Sequence, residues 1–491
     1  MATRAPGRGP WTLTLPAGLM ERLHAHLFPG DGDEHGAVLA AGVTQTERGS
    51  RLLARDLLLA RDGVDYVPGQ RGYRMLTAEF VRDAVLYCRD QCLSYLAVHC
   101  HGGIDRVGFS GDDLASHERG YPALLDIIGG PPVGALVFAQ DAVAGDIWLP
   151  GGAGRVPLTS ARVVDRRTHW LYPAPPPRPP RRDATYDRQA RLLGDHGEAM
   201  LRALKVGVIG AGGVGSLVVE YLARLGVDHI VVADPQRIEI TNLSRVVGST
   251  RRDALAWLAD EGKPGWLRGL AMRQAARKVT IAARLARSAN QKGRVEAIPG
   301  DIVDETVARR FTDCDYLFLA ADSMQARLVF NALVHQFLIP GMQLGTKVPV
   351  DPDSGAVGDV FTVTRPVAPE AGCLWCNGLI SASGLQDEAM SDEERRAQRY
   401  VDEPEVIAPS VITLNAIAAA LGTTDFLFGV TGLLSPDAAH EYLRVLPRHG
   451  DVHFDIPRKD ADCIECGAGT ASRRGRGDAW PLPTRSSRIR R

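Results

Sequence analysis

Short apolar runs that end at polar or glycine-rich residues predict the buried strands of this chain. Val206–Ile209 precedes the glycine turn (Gly210-Ala-Gly-Gly-Val-Gly-Ser216), which predicts a strand, a tight turn and the start of a helix. A second apolar run, Ile230–Ala233, ends in Asp234. Glycines in such a turn let backbone N–H groups approach a phosphate, and an acid about 20 residues on suits a ribose hydroxyl. The pattern predicts an α/β fold with a nucleotide site.

Polar residues farther along the chain distinguish this site from that of an ordinary dinucleotide enzyme. Asn242 and Arg245 follow Asp234 closely, Lys278 follows after them, and Asp322 ends the apolar run Leu317–Ala321. Two cations and an amide suit a triphosphate, and an acid at a strand end suits Mg²⁺. The sequence therefore predicts a nucleoside triphosphate and Mg²⁺ as ligands.

These segments resemble the ThiF/MoeB/ubiquitin-activating superfamily of adenylating enzymes over roughly residues 183 to 468. The resemblance is carried by Tyr186-Asp-Arg188-Gln, the glycine turn, Asp234, the Asn242–Arg245 motif, Lys278, Asp322 with Arg327, and two Cys-x-x-Cys pairs. It implies that the C-terminal carboxylate of a ubiquitin-like protein ending in glycine attacks the α-phosphate of ATP. An acyl-adenylate forms and pyrophosphate leaves.

The resemblance also implies a role for each matching residue. Arg188 would reach into the site of a partner subunit, which implies a homodimer. Gly210, Gly212, Gly213 and Gly215 would line the phosphates, and Asp234 would hold the ribose. The charge at the α-phosphate would be neutralised by Asn242, Arg245 and Lys278, and Asp322 would bind Mg²⁺. Taken singly, any of the glycines suits helix packing and Lys278 suits a solvated helix face.

The cysteines predict a metal site rather than disulfides. Cys373-Leu-Trp-Cys376 and Cys463-Ile-Glu-Cys466 each place two thiols on one tight turn, and together they suit a structural four-sulfur Zn²⁺ site; a redox pair is the alternative. Residues 377–409 contain no cysteine, so a thioester on this chain is not expected. The adenylate passes either to another protein or sulfur donor, or to a loop hydroxyl of Ser381, Ser383 or Ser391.

A second set of chemical residues lies in the N-terminal third of the chain. The apolar run Tyr95–His99 is followed by His101, and two histidines at i and i+2 of a strand point the same way, so both reach one metal ion. Asp113 supplies a third ligand, and Ser110 lies three residues before it, in position to support an oxyanion. Glu34 lies at the start of another apolar run.

These residues resemble the JAB/MPN (JAMM) metalloprotease pattern of a Glu, then His-x-His, then Ser-x-x-Asp. The resemblance implies that Glu34 is the general acid/base, that His99, His101 and Asp113 hold a catalytic Zn²⁺, and that Ser110 supports the tetrahedral intermediate. Gly102 stands where the family has proline. The spacing from His101 to Asp113 is one residue longer than in the family, which keeps Asp112 as an alternative ligand. A non-catalytic scaffold is the other interpretation.

Composition and boundaries complete the picture. The 491 residues are 45% hydrophobic with a formal net charge of −1, and no run of 18 apolar residues or signal peptide is apparent, so we expect a cytoplasmic protein without a membrane or nucleic-acid partner. We predict an α/β protein with a JAB/MPN α/β domain over 1–170 and a proline-rich linker over 171–182. A Rossmann-like ThiF domain with a mostly parallel sheet and the four-cysteine zinc site follows over 183–470, then a basic disordered tail over 471–491.

The two predicted domains suggest one common substrate. The chain would adenylate the C-terminal glycine of a ubiquitin-like protein, and its zinc protease would trim or release the same protein, as in bacterial ubiquitin-like conjugation systems, which would add a conjugating enzyme as a partner. One alternative is activation of a sulfur-carrier protein for cofactor biosynthesis. The other is a non-catalytic MPN scaffold that presents the tail to the adenylating domain.

Overall fold

The chain forms two compact units in a computed structural model, which describes residues 9–69, 72, 74–180, 184–351, 354–389 and 409–485. The first unit comprises residues 1–178, 335–338 and 461–481, and the second comprises 179–334, 339–460 and 482–491. The division at 178/179 falls inside the proline-rich segment.

The first unit is built on a sheet that closes on itself. Its strands are β1 (Trp11–Pro16), β2 (Gly36–Thr46), β3 (Gly49–Leu59), β4 (Ser94–Cys100), β5 (Val133–Phe138), β6 (Val143–Trp148), β7 (Arg155–Val164) and β8 (Thr168–Leu171). They are ordered β1-β3-β2-β4-β5-β6-β7-β8, and β1 also pairs with β7, so the sheet is barrel-like. This closure was not predicted from the sequence.

Three helices cover this sheet: α1 (Ala17–Leu27), α2 (Ala78–Asp90) and α3 (Gly111–Ile128). One apolar cluster combines α1 with one face of the sheet, and a second lies where α2 and α3 pack on the other face. Strand β2 is buried on both faces along most of its length, which explains its unbroken apolar run. Both clusters contain residues of β2 and β4, so these two strands form the middle of the unit's core.

The second unit contains a mixed sheet. Its strands are β9 (Lys205–Ile209), β10 (His229–Ala233), β11 (Arg294–Ile298), β12 (Tyr316–Leu319), β13 (Gly341–Lys347), β14 (Phe361–Val367), β15 (Tyr442–Leu446) and β16 (Asp451–Asp455). The order is β11-β10-β9-β12-β13-β14-β15-β16, parallel from β11 to β13 and antiparallel beyond. The predicted parallel strands therefore form only part of the sheet. The antiparallel strands β14, β15 and β16, which extend it, were not predicted.

The strand order places a topological switch point between β9 and β12. From β9 the chain continues outward to β10 and β11, and it then returns to pair β12 on the other side of β9. Loops leave the carboxyl ends of these two strands in opposite directions, which opens a crevice for a ligand. The glycine turn follows β9 and Asp322 follows β12, so both reach this crevice.

Helices flank the second sheet. They are α4 (Asp187–Ala203), α5 (Gly213–Arg224), α6 (Ala256–Ala259), α7 (Gly265–Gln274), α8 (Lys278–Ala289), α9 (Glu305–Ala308), α10 (Met324–Gln336), α11 (Ala382–Ala389) and α12 (Ile412–Thr431). Helix α12 is long and apolar enough to cross a membrane by length and composition, with a mean hydropathy of 1.3, although no such segment was predicted. It packs on α5, β13 and β14, so we assign it to the core of this unit.

The segment after residue 460 corrects two predictions. Residues 461–470, predicted to belong to the adenylating domain, group with the first unit. Residues 471–481, predicted as part of a disordered tail, also belong to that unit, and Ser472, Arg474 and Arg476 are buried there. The buried arginines are accommodated because their guanidinium groups donate hydrogen bonds to backbone carbonyls. Arg476, for example, donates to the carbonyl of Gln91. Residues 486–491 of the predicted tail lie outside the described residues.

Candidate functional sites

The crevice of the second unit contains a cavity of about 550 Å³ beyond the ends of β9, β10, β12 and β13. Its lining includes eight of the residues assigned from the sequence to ATP or Mg²⁺: Gly210, Gly212, Gly213, Asp234, Asn242, Arg245, Lys278 and Asp322. The cavity has the volume of a small-molecule site, for which about 300–1,000 Å³ is typical. Residues from four separate stretches of sequence therefore converge on one space.

The glycine turn shows which glycines face the cavity. Gly210 has a φ of +96°, in the left-handed region, and a Cβ there would lie 3.0 Å from the backbone carbonyl of Ala320. Gly215 does not line the cavity, and a Cβ on it would lie 1.9 Å from the carbonyl oxygen of Gly210. This glycine allows α5 to pack against the end of β9, and its place beside the phosphates stays a prediction.

Asp234 is held rigidly at the end of β10. Its Oδ2 accepts the backbone N–H of Ala211 at 2.8 Å, and its Oδ1 accepts that of Gln236 at 2.8 Å. Gln236, which no motif in the sequence indicates, accepts a hydrogen bond from Lys278 Nζ at 2.6 Å through its side-chain oxygen. The carboxylate and the ammonium are both nearly buried and are positioned by local hydrogen bonds without a ligand.

The remaining polar residues approach the cavity from two loops. Asn242 is buried in a short 3₁₀ turn after β10, and the Nη1 of Arg245 donates to the carbonyl of Thr241 at 2.9 Å, which folds that loop toward the cavity. Arg327, on the first turn of α10, lines the cavity and donates to the carbonyl of Leu379 at 3.1 Å. Further lining residues that carry no family motif in the sequence are Gln236, Asp301, Ser323, Gln343, Ser410 and Asn415.

Arg188 lies outside this cavity. It is exposed near the start of α4, directly after the buried Tyr186, and it is not among the residues that line the cavity of its own chain. Its insertion into the site of a partner subunit therefore stays a prediction, as does the homodimer.

The two Cys-x-x-Cys pairs belong to different units. In the second unit Cys373 and Cys376 have their sulfur atoms 3.5 Å apart, close to the roughly 3.8 Å that separates two thiolates on a tetrahedral zinc. In the first unit the sulfurs of Cys463 and Cys466 are buried and lie within 4.8 Å of each other. Each pair can chelate one ion through two ligands, and the shared four-cysteine site stays a prediction. Of the candidate serines, Ser381 and Ser383 have their Oγ atoms 3.3 Å apart, and Ser391 lies outside the described residues.

The first unit brings the predicted metal ligands together at the end of β4. The Nε2 atoms of His99 and His101 lie 3.2 Å apart, and they lie 3.6 and 3.5 Å respectively from Asp113 Oδ2. Three ligands on a tetrahedral zinc, each about 2.1 Å from the ion, stand about 3.4 Å apart. The three edges of this triangle therefore have the size that a zinc ion requires. Asp112, the alternative ligand, is exposed and does not belong to the triangle.

Hydrogen bonds orient these ligands. His101 Nδ1 lies 3.0 Å from the carbonyl oxygen of Gly108, so that nitrogen is protonated and Nε2 presents its lone pair. Ser110 is the N-cap of α3 and forms a capping box with Asp113, whose Oδ2 accepts the Ser110 hydroxyl at 2.7 Å. Burial raises the pKa of Asp113, but hydrogen bonds with His99 and Ser110 outweigh it and hold the pKa well below its usual value. The carboxylate is thus anionic and ready to bind a cation.

Glu34 reaches the same place through the register of β2 on β4. Gly36 pairs with His99, so the two residues before β2 pass beside the end of β4. The Oε1 of Glu34 lies 3.9 Å from His101 Nε2, and the side chain is about one third exposed at 32%. A carboxylate at this distance can accept a proton from a water molecule held between it and the histidines. The role of Ser110 toward an oxyanion stays a prediction, since its hydroxyl proton is donated to Asp113.

Comparisons with known proteins cover mainly the second unit. A sulfur carrier protein adenylyltransferase from Thermus thermophilus is 30% identical over 148 residues, 30% of this chain and 47% of the relative. A sulfur carrier protein ThiS adenylyltransferase from Bacillus subtilis is 28% identical over 193 residues, 39% of this chain and 49% of the relative. A SAMP-activating enzyme E1 from Haloferax volcanii is 28% identical, over 39% of this chain and 67% of the relative.

This chain thus spans about half the length of the first two relatives. The ThiF family profile matches residues 186–464, which is more than half of the chain and contains every residue that lines the cavity of the second unit. Residues 1–185, with the histidine and aspartate triangle, lie outside the match. By the extent of this match, the chain belongs to the ThiF family.

Proposed function

We propose that the second unit adenylates the C-terminal carboxylate of a sulfur-carrier or ubiquitin-like protein that ends in glycine. The observation that carries the proposal is the convergence of Asp234, Asn242, Arg245, Lys278 and Asp322 on one cavity at the switch point. Family membership supports it, and so do the names of the relatives, two of them sulfur carrier protein adenylyltransferases and the third a SAMP-activating enzyme.

The proposed reaction is a displacement at the α-phosphate. A carboxylate oxygen of the terminal glycine bonds to that phosphorus, the bond to the bridging oxygen breaks, and pyrophosphate leaves with the electron pair. Lys278 and Arg245 offset the negative charge that builds on the phosphates, and they are already oriented by Gln236 and Thr241. Asp322 offers an oxygen ligand for Mg²⁺, which would neutralise the triphosphate and the leaving pyrophosphate.

Exchange of labelled pyrophosphate into ATP tests this reaction. The purified chain is incubated with each of a panel of small ubiquitin-like and sulfur-carrier proteins that end in glycine. We expect exchange with one partner that disappears when its terminal glycine is deleted, and loss of at least about a hundredfold in Lys278→Ala. Arg252→Ala, an exposed cation outside the cavity, is the matched control and should exchange like the wild type. Exchange that persists in Lys278→Ala would argue against this site.

The sulfur-carrier and conjugation pathways share this first step and differ afterwards. The absence of a cysteine from 377–409 favours transfer of the adenylate to a separate acceptor, either a sulfur donor or a conjugating enzyme. A thiocarboxylate on the partner, detected by intact mass, would assign the sulfur pathway, whereas an amide-linked conjugate would assign conjugation.

A second proposed activity belongs to the first unit. The ligand triangle of His99, His101 and Asp113, with Glu34 beside it, supports a zinc-dependent peptidase that processes or releases the same partner protein. Zinc bound there would lower the pKa of a water molecule toward about 7. Glu34 would then accept a proton from that water and pass it to the leaving amine. The scaffold alternative keeps the metal but lacks the cleavage.

Metal content and cleavage separate these alternatives. The test substrate is the activated partner with a short extension after its terminal glycine. We expect Glu34→Gln to keep its zinc, measured by elemental analysis, and to lose cleavage at least about a hundredfold. His99→Ala should lose one zinc ion per chain together with the cleavage. A wild-type chain that cleaves no partner, although its zinc content falls in His99→Ala, would favour the scaffold. Asp33→Asn, next to Glu34 but outside the triangle, is the control.

We further propose that the two Cys-x-x-Cys pairs share one structural zinc. The spacing of each pair and the short Cys373–Cys376 sulfur distance support two thiolates per turn. A zinc-to-chain ratio of two in the wild type, falling to one in Cys373→Ser, is the expected result. A ratio unchanged by that substitution would contradict the proposal.

A further inference from the structure

The start of α12 forms one wall of the nucleotide cavity. Pro409, Ser410 and Asn415 line it together with the glycine turn, although α12 follows Asp322 by about 90 residues in the sequence. No motif in the sequence marked these residues for nucleotide binding. Their presence in the cavity comes from the packing of α12 against α5, whose first turn is the glycine turn.

Asn415 is the most deeply placed polar side chain of this wall. It is only 2% exposed, and its Nδ2 donates to Ser410 Oγ at 3.2 Å. A primary amide carries two N–H donors and an acceptor oxygen, so one N–H remains for another partner. Within the described part of the chain the side chain has no further hydrogen bond. A buried amide with spare donor capacity is costly unless a ligand or water satisfies it.

The side-chain amide of Asn415 lies directly against the glycine turn. A Cβ built on Gly213 would lie 2.3 Å from Asn415 Nδ2 and 3.5 Å from Arg245 Cδ. The amide and the arginine side chain therefore flank the first residue of α5 from two elements far apart in sequence. Backbone N–H groups at that helix start attract an anion, and an amide donor beside them adds a neutral hydrogen bond where Arg245 adds charge.

We infer that Asn415 donates a hydrogen bond to the phosphate chain of ATP, with Ser410 holding the amide in position. The inference rests on the proposed adenylating function and adds a nucleotide-binding residue from α12. It explains why position 213 is a glycine, because any side chain there would displace the amide from the phosphates. It also makes the placement of α12 part of nucleotide recognition.

Calorimetric titration with a non-hydrolysable ATP analogue and, separately, with adenosine tests the inference on the full chain. Asn415→Ala should weaken binding of the ATP analogue about ten- to a hundredfold, the usual range for a hydrogen bond to a charged group, with adenosine affinity unchanged. Asn415→Asp should weaken it further, because a carboxylate repels the phosphates, although Asp retains the shape and can accept from Ser410. Thr413→Ala, exposed on the same helix, is the matched control.

The two variants separate phosphate binding from a merely structural role. A structural role predicts the opposite order, with Asp tolerated better than Ala, or an equal loss for ATP analogue and adenosine, and either result would overturn the inference. Unchanged affinity in both variants, alongside a clear loss in Lys278→Ala, would also overturn it while the proposed function stands. A wild-type chain that fails to bind the ATP analogue would overturn the proposed function itself.

Discussion

Arg55 offers a direct test of how the first unit depends on the C-terminal segment 461–481. It lies on β3 with 1% exposure, and its guanidinium donates to the carbonyls of Gly469 at 2.7 Å, Ser472 at 3.2 Å and Arg474. Its Nε lies 3.2 Å from Asp56. Burial lowers the pKa of Arg55 to about 10, so the group is still charged at neutral pH.

Arg55→Met keeps the length of the side chain and removes every donor. Three carbonyl oxygens then lose their partner, at about 1–3 kcal/mol each, and Asp56 loses its counter-charge. Some relaxation lowers that sum, and breaking a buried charged pair costs about 3–5 kcal/mol, which we take as the expected destabilisation. This is a large share of the roughly 5–15 kcal/mol that stabilises a domain, so we expect the 461–481 segment to detach locally.

Hydrogen–deuterium exchange of the full chain measures this detachment. Peptides from 461–481 should lose at least about a hundredfold of protection in Arg55→Met, since each 1.4 kcal/mol is about tenfold. Peptides from β9 and β10 in the second unit should be unchanged. Arg82→Met, an exposed arginine on α2, is the control and should exchange like the wild type. Unchanged protection of 461–481 in Arg55→Met would refute the reasoning.

Three further predictions concern the second unit. Gly215→Ala should lower the melting temperature and abolish ATP binding, because the new methyl group would lie 1.9 Å from the Gly210 carbonyl oxygen; wild-type-like binding would contradict the packing role. The hydrogen bond from Arg284 lowers the pKa of Asp253 to about 2, so the stability it contributes is fully present above about pH 4 and is lost as the pH falls from about 4 through the folded-state pKa of about 2. The melting temperatures of wild type and Asp253→Asn should therefore converge between pH 4 and pH 2, and a constant difference would refute this. Glu388 accepts the backbone N–H groups of Met324 and Gln325 at the start of α10, so Glu388→Gln should increase deuterium uptake in 382–389, and unchanged uptake would count against the contact.

The parts of the sites that the sequence predicts are those in which local geometry and chemistry coincide. A glycine turn after an apolar strand places Gly210 and Asp234 by itself, because the strand, turn and carboxylate lie within one βαβ unit. In the first unit, His99 on β4 and His101 directly after it lie two residues apart along extended chain and share a face, and Ser110 caps the helix that carries Asp113. Such features need only strand periodicity and helix capping.

The parts that the sequence leaves out depend on long-range packing. Asn415 reaches the cavity only because α12 lies against α5. The neighbouring sequence does not indicate whether this residue lines a cavity or lies in the core. The antiparallel strands β14–β16 and the return of 461–481 to the first unit also lack a local signal, since arginine-rich sequence is usually solvated. For Gly215 the phosphate contact stays a prediction, because a glycine pattern alone does not separate phosphate contact from helix packing.

The most direct test of the central claim is to detect the acyl-adenylate itself. The full chain is mixed with ATP, Mg²⁺ and the glycine-ending partner that supports exchange, and the intact mass of the partner is recorded after rapid denaturation. We expect a partner carrying one AMP, absent without the terminal glycine and absent in Lys278→Ala. A chain that binds ATP at this cavity but adds AMP to no glycine-ending ubiquitin-like or sulfur-carrier protein of its source organism would contradict the account.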